Sequence, residues 1–287
     1  MNKISQSNDK MDLILYCPLW GMEEFSVSEA LAKIKDAGYH GAEIALDPKK
    51  DDIVVIRELF DGKGLRMIAQ HPFASGNSPE KYRKDYITKL EQIAKIRPDK
   101  INCHTGKDYY SVDNNLRIIE AAEVIAAKNG IEVTHEIHRG RFSFSSALIS
   151  EYIRRFPDIK LTADFSHWCV VSESLLEDQE DIIHKTVPHC FHIHARVGDG
   201  ESPQVTHPAA PENQYALQRH TQWWKLIYDQ HKKRNQKEYT VTCEFGPVPY
   251  LPTLPFTNKP VASQWEINLF MKDYLTKKIA QWNQEKN

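Results

Sequence analysis

Residues 131–167, IEVTHEIHRGRFSFSSALISEYIRRFPDIKLTADFSH, contain one complete repeat of the pattern that governs this chain. An apolar run rich in β-branched residues, 131–136, ends in a carboxylate, Glu136. A segment of helical period follows over 144–156, then a second short run, 159–164, ends in Asp164. Runs of four to eight such residues alternating with helical stretches are the signature of βαβ units and a parallel sheet. The pattern extends outward in both directions. Strands are expected at 12–17, 40–45, 65–70, 99–104, 189–194 and 239–244, and helices near 26–37, 51–61, 79–96, 114–129, 171–185, 215–234 and 264–284. Ser26 with Glu29 three residues later forms a capping box, and Gly38 and Gly130 stand where helices end. Eight strand–helix alternations with no Pro/Ser/Gly linker predict one domain over 1–287, an α/β (β/α)8 TIM barrel, with an N-terminal tail over 1–10. A doubly wound open sheet would call for a glycine-rich turn after the first strand, and Cys17-Pro18-Leu19-Trp20-Gly21 is not one.

The bulk composition restricts the function. The 287 residues fit one barrel of about 250 residues. The net charge is −2, with a pI of 6.7 and a mean hydropathy of −0.56. No basic stripe suits a phosphate backbone, and no apolar run is long enough to span a bilayer. The run His231-Lys232-Lys233-Arg234 reads as a helix end. No signal peptide is legible at the N-terminus, so a cytoplasmic location is expected. Five cysteines (Cys17, Cys103, Cys169, Cys190 and Cys243) with wide spacings read as buried thiols, not as a disulfide framework or zinc ribbon. The stretches 195–214 and 245–263 are too long for plain connections and are expected to be functional loops at the barrel mouth.

The ends of the runs carry the chemistry. Glu43, His71, His104, Glu136, Asp164 and His194 follow one another at about thirty residues, about one βα unit, and Glu244 follows after a longer loop. Equivalent positions on successive strands converge at the C-terminal mouth. Glu136, Asp164, His194 and Glu244 together offer three carboxylates and one imidazole, an oxygen-rich set suited to one divalent cation, Mn2+ first, with Mg2+, Co2+ or Fe2+ as alternatives. Without a cation the carboxylates would repel one another. Thr134, Thr162, His192 and Thr242, two residues earlier, are expected to hydrogen-bond those ligands from beneath. Glu43, His71 and His104 are candidate substrate-binding groups, with a structural role as the alternative. Trp20, Phe73 and Trp168 are either sugar-stacking aromatics or core.

At the motifs THEIH, ADFSH, HIHAR and CEFGP the chain resembles the xylose isomerase-like barrels, the sugar phosphate isomerases/epimerases that include the ketose 3-epimerases. The resemblance implies a metal held by Glu136, Asp164, His194 and Glu244, and a substrate-contacting His167 through the spacing Asp164-Phe165-Ser166-His167. Those epimerases carry a substrate-binding Arg six residues after the metal His. Here that position is Gly200, with Arg196 as the substitute. The implied activity is isomerisation or epimerisation of a keto-sugar through proton abstraction and a metal-stabilised enediolate, with Glu136 and Glu244 as catalytic acid and base. Lyases of the same family eliminate across a 3-keto-glycoside, the alternative outcome. A metal-dependent endonuclease would need a basic groove, and a non-catalytic sugar-binding barrel would not need two acid/base glutamates. The expected partner is a small carbohydrate, with neither nucleic acid nor membrane. No phosphate-cradling glycine loop is legible. Trp223, Trp224 and Tyr228 mark either a homo-oligomer interface or packing on the barrel.

Overall fold

The computed structural model describes residues 10–285. Most of the tail expected over 1–10 therefore lies outside the described residues. Eight parallel strands close into a barrel in sequence order, β8 pairing with β1. They are β1 (Asp12–Pro18), β2 (Gly41–Ala45), β3 (Arg66–His71), β4 (Lys100–Cys103), β5 (Val133–Glu136), β6 (Leu161–Ala163), β7 (Cys190–His194) and β8 (Glu238–Thr242). Around them run α1 (Val27–Asp36), α2 (Ile53–Lys63), α3 (Pro79–Lys95), α4 (Val112–Asn129), α5 (Ser146–Arg155), α6 (Ser166–Ser172), α7 (Glu180–Thr186), α8 (Gln214–Lys233) and α9 (Gln264–Trp282). The chain is thus a single-domain (β/α)8 TIM barrel.

The main apolar core lies between barrel and helices, where Leu31, Phe60, Leu90, Ile119, Ile227 and Met271 are fully buried. Burial of such side chains is the dominant stabilising term, about 1.5–3 kcal/mol each. Helix ends are placed by local chemistry. Ser26 and Glu29 form the expected capping box. Gly130 closes α4 in the left-handed region at φ 61°, where a Cβ would be strained. Trp223, Trp224 and Tyr228 are buried against the barrel, so packing accounts for the aromatic face of α8. All five cysteines are buried free thiols. Among the described residues no helix is long and apolar enough to cross a membrane.

The helix expected over 171–185 is broken in two. After α6, Glu173 and Leu176 take positive φ, 49° and 57°. The Ser174 hydroxyl accepts a hydrogen bond from the Leu176 amide at 3.3 Å, and Leu176 turns into the core. A local side-chain-to-backbone bond and one buried leucine outcompete helical continuity here.

Candidate metal centre at the barrel mouth

Strand register sets which side chains meet. Gln70 pairs with Asn102, Asn102 with Thr134, and Glu136 with Thr162. Side chains alternate in and out with period two, so this ladder defines one inward-facing set. Glu136, Asp164, His194 and Glu244 belong to it, and each offers a ligand atom within 4.8 Å of the others. All four are buried.

Each glutamate has one oxygen held by the chain. Glu136 Oε2 accepts from Asn102 Nδ2 at 2.7 Å and lies 2.9 Å from His104 Nε2. Glu244 Oε1 accepts from Gln70 Nε2 at 3.1 Å. Their other oxygens approach His194 Nδ1, Glu136 Oε1 at 3.6 Å and Glu244 Oε2 at 2.6 Å. His194 Nδ1 and Glu244 Oε2 have no hydrogen-bond partner of acceptable geometry among the described residues. Two buried polar atoms that touch without hydrogen-bonding are what a shared cation would satisfy. On its far side His194 Nε2 lies 3.1 Å from both oxygens of Glu43. That carboxylate accepts a hydrogen bond from the Nε2–H and so leaves the Nδ1 lone pair for a ligand, the carboxylate–histidine–metal arrangement. Asp164 differs: one oxygen accepts from the Ser166 amide at 3.2 Å, and the other pairs with the Arg196 guanidinium. The donor set therefore fits a divalent metal, with Arg196 sharing the charge of Asp164.

The electrostatics agree. Burial opposes charge on His194, yet Glu244, Glu43 and Glu136 together pull its pKa well above the ordinary value. A neutral ligand imidazole in this nest of acids calls for another positive charge. Burial pushes Glu244 up against the pull of His194. Burial acts in the same direction on Glu136, but His104 and His194 outweigh it and hold that carboxyl well below its usual range. Burial drives His138 and His167 well below theirs.

Several expected residues lie elsewhere. His71 does not reach the mouth. Its ring packs on Tyr86 of α3 at 4.7 Å, and its Nε2 bonds the Tyr86 carbonyl at 3.1 Å, outside the barrel. A shift of one residue reverses the face, and Gln70 occupies the inward position. Trp168 is core, donating from Nε1 to the Ser143 carbonyl at 2.8 Å. His167 stands behind the cavity wall, 4.0 Å from the His138 ring and 2.8 Å from Arg196 Nη2. Glu43 lies beneath the cluster as the partner of His194. Thr134 and Thr162 bond each other at 2.8 Å, while Thr242 donates to Glu43 and accepts from His192, so the layer beneath reaches the ligands only through Glu43. His104, Arg196, Trp20 and Phe73 line the cavity as placed from sequence. Gln70, Asn102 and His138 went unread, although the same period-two alternation that marks Glu136 points to each of them. Nothing could stand on a side chain at position 200, because a Cβ there would meet the Glu173 backbone at 2.8 Å.

The sequence signature of the xylose isomerase-like TIM barrel family matches residues 31–225, about two thirds of the chain. Among curated proteins, none matches the chain in sequence. Three solved structures share the fold. An AP endonuclease family 2 protein from Brucella melitensis aligns with a TM-score of 0.63 at 15% identity, over 91% of this chain and 98% of its own. The probable 3-DHS dehydratase of petrobactin synthesis from Bacillus anthracis gives 0.59 at 15%, over 93% and 99%. A 3-keto-D-glucoside 4-epimerase from E. coli gives 0.57 at 16%, over 93% and 100%.

Proposed function

Because the chain belongs to the xylose isomerase-like TIM barrel family, we propose that its mouth cluster is the active site of a divalent-metal-dependent enzyme that moves a proton beside the carbonyl of a keto-sugar. The observation that carries this reading is the convergence of Glu136, Asp164, His194 and Glu244, with Glu43 fixing the His194 tautomer. Glu136, Asp164, His194 and Glu244 would hold the ion, and Mn2+ best suits their oxygen-rich set. When bound, the ion supplies Lewis-acid polarisation that lowers the pKa of the neighbouring C–H.

The side chains supply the rest. Glu136, whose Oε2 is held by Asn102, takes the proton. Glu244, whose Oε1 is held by Gln70, returns one. Return to the same carbon from the opposite face gives epimerisation, and return to a neighbouring atom gives isomerisation. Arg196 and His104 both line the cavity and hold oxygens of the substrate. Elimination is a second reading. It is favoured by Arg196, whose guanidinium, 3.6 Å from Glu244 Oε2, stands at the reacting end of the cavity and not out on the loop at position 200. A charge placed there suits a departing oxygen. Five buried free thiols suit a reducing compartment, and the enzyme is assigned to the cytoplasm on that ground.

The test is metal analysis of the purified protein, followed by assays of metal-free and Mn2+-reconstituted samples in D2O with free ketoses and 3-keto-glycosides. One equivalent of metal with deuterium incorporated beside the carbonyl is the expected result. Glu136→Gln should keep the metal through the three remaining ligands and lose at least about 100-fold in exchange rate. Failure to bind metal at micromolar supply would overturn the reading.

A further inference from the structure

The cavity above Glu136 and Glu244 is larger than its reacting end. It has a volume of about 490 Å3, and the loop that joins β1 to α1 supplies Leu19, Trp20, Met22, Glu23 and Phe25 to its wall. Gln70, His104, Glu136, His138, Arg196 and Glu244 make its inner end polar. Its outer lobe is walled by Leu19, Met22, Phe25, Ile44, Ala45 and Phe73. Trp20 and Tyr250, edge to face at 5.0 Å, also line the cavity.

The lobe is built, not a gap under a loose loop. Leu19 donates its amide to the Glu43 carbonyl at 2.9 Å, and Gln264 Nε2 bonds the Trp20 carbonyl at 2.7 Å. The Trp20 ring lies so close to Gly246 that a Cβ there would meet it at 2.2 Å. Gln264 and the loop that carries Gly246 thus fix this tryptophan in the cavity wall. Among the described residues, Glu23 is the one acidic side chain on the outer wall, and its Oε1 accepts from the Gly21 amide at 2.9 Å. Apart from Glu23 and the Trp20 indole, the outer side chains offer nothing to a hydroxyl. Water or sugar hydroxyls in such a space would lack partners, whereas an apolar group gains by leaving water. A phosphate there would meet the Glu23 carboxylate, and among the described residues no lysine lines the cavity, Lys33 being held over the Phe25 and Trp265 rings.

We propose that the substrate is a keto-sugar glycoside whose apolar aglycone, an aryl or comparably bulky hydrocarbon group, fills this outer lobe while the sugar ring lies over Glu136 and Glu244. The assignment of the sugar to the inner end rests on the proposed function. The assignment of the aglycone rests on the lobe itself.

The experiment separates the two. Calorimetric titration of the Mn2+-loaded full chain would use phenyl β-D-glucoside, methyl β-D-glucoside and glucose 6-phosphate, so that binding is read without turnover. Deuterium exchange into the 3-keto forms of both glycosides would be followed in parallel. The phenyl glycoside should bind at least tenfold more tightly than the methyl glycoside, and the sugar phosphate more weakly than either. Ala45→Phe, which fills the lobe, and Phe73→Ser, at its exposed rim, should each bring the phenyl-to-methyl ratio close to one. Both variants should keep one equivalent of Mn2+ and the parent melting temperature, which checks the fold. Equal affinity for the two glycosides, or preference for the sugar phosphate, would overturn the aglycone assignment whatever the exchange assay shows. A phenyl preference with no exchange into any keto-glycoside would uphold the lobe and overturn the enolisation reading instead.

Discussion

His194 has two ring nitrogens with separate tasks, and Glu43 is what separates them. With Nε2 facing both oxygens of Glu43, Nδ1 is left facing Glu136 and Glu244. Replacing Glu43 by Gln removes the charge that fixes this tautomer, and the loss of such a partner costs about 10–100-fold in metal affinity. A Mn2+ titration of Glu43→Gln should show that weakening while Glu136, Asp164 and Glu244 are untouched. Unchanged affinity would mean that the tautomer is set elsewhere. Glu136, His194 and Glu244 could be singled out in the sequence because each continues a period-two alternation with a Thr or His two residues before it. His71 shows the limit of reading strand ends without register. It closes β3, but the inward side chain is Gln70, which pairs with Asn102 on the neighbouring strand β4.

Among the elements, the mouth loops are tied to one another by Gln204. Its Oε1 accepts from the Gly246 amide at 2.7 Å, and its Nε2 donates to the Gly246 carbonyl at 3.1 Å. This buried pair joins the loop after β7 to the loop after β8, beside Trp20. Gln204→Ala leaves a buried donor and acceptor without partners and should cost about 2 kcal/mol, read as a lowered urea midpoint. An unchanged midpoint would show that water or a neighbour replaces the amide. Strand and helix positions were legible because hydrophobic period and caps are local signals, as with Ser26 and Gly130. The break between α6 and α7 was not, because it depends on Leu176 finding a place in the core.

At the scale of the whole molecule, metal and fold should be linked. An ion bound by the native chain alone stabilises it by about 2.7 kcal/mol at a hundred times its Kd. Removing the metal with EDTA should therefore lower the melting temperature, and Mn2+ should restore it in proportion to the logarithm of its concentration. A melting temperature indifferent to both would argue against a bound ion. A second linkage lies outside the mouth. Burial pushes Asp85 upward, but Lys49 Nζ at 2.6 Å, the Ser75 amide and Lys89 outweigh it and bring its pKa down to about 2. A carboxyl whose folded pKa is depressed contributes stability above its unfolded value, and that stability fades as pH falls through the folded value. Acid unfolding of Asp85→Asn should therefore be flatter than that of the parent between about pH 4 and 2, a difference of about 1 kcal/mol after allowance for solvent screening. The amino-acid sequence by itself determined the barrel, its strand order and the four residues that meet at its mouth, because hydrophobic period and the recurrence of strand ends are encoded along the chain. Only the tertiary structure decided that Glu43 orients His194, that Gln70 and not His71 faces inward, and that the β1–α1 loop encloses an apolar lobe. Each of these depends on residues far apart in sequence, brought together by strand register and loop packing.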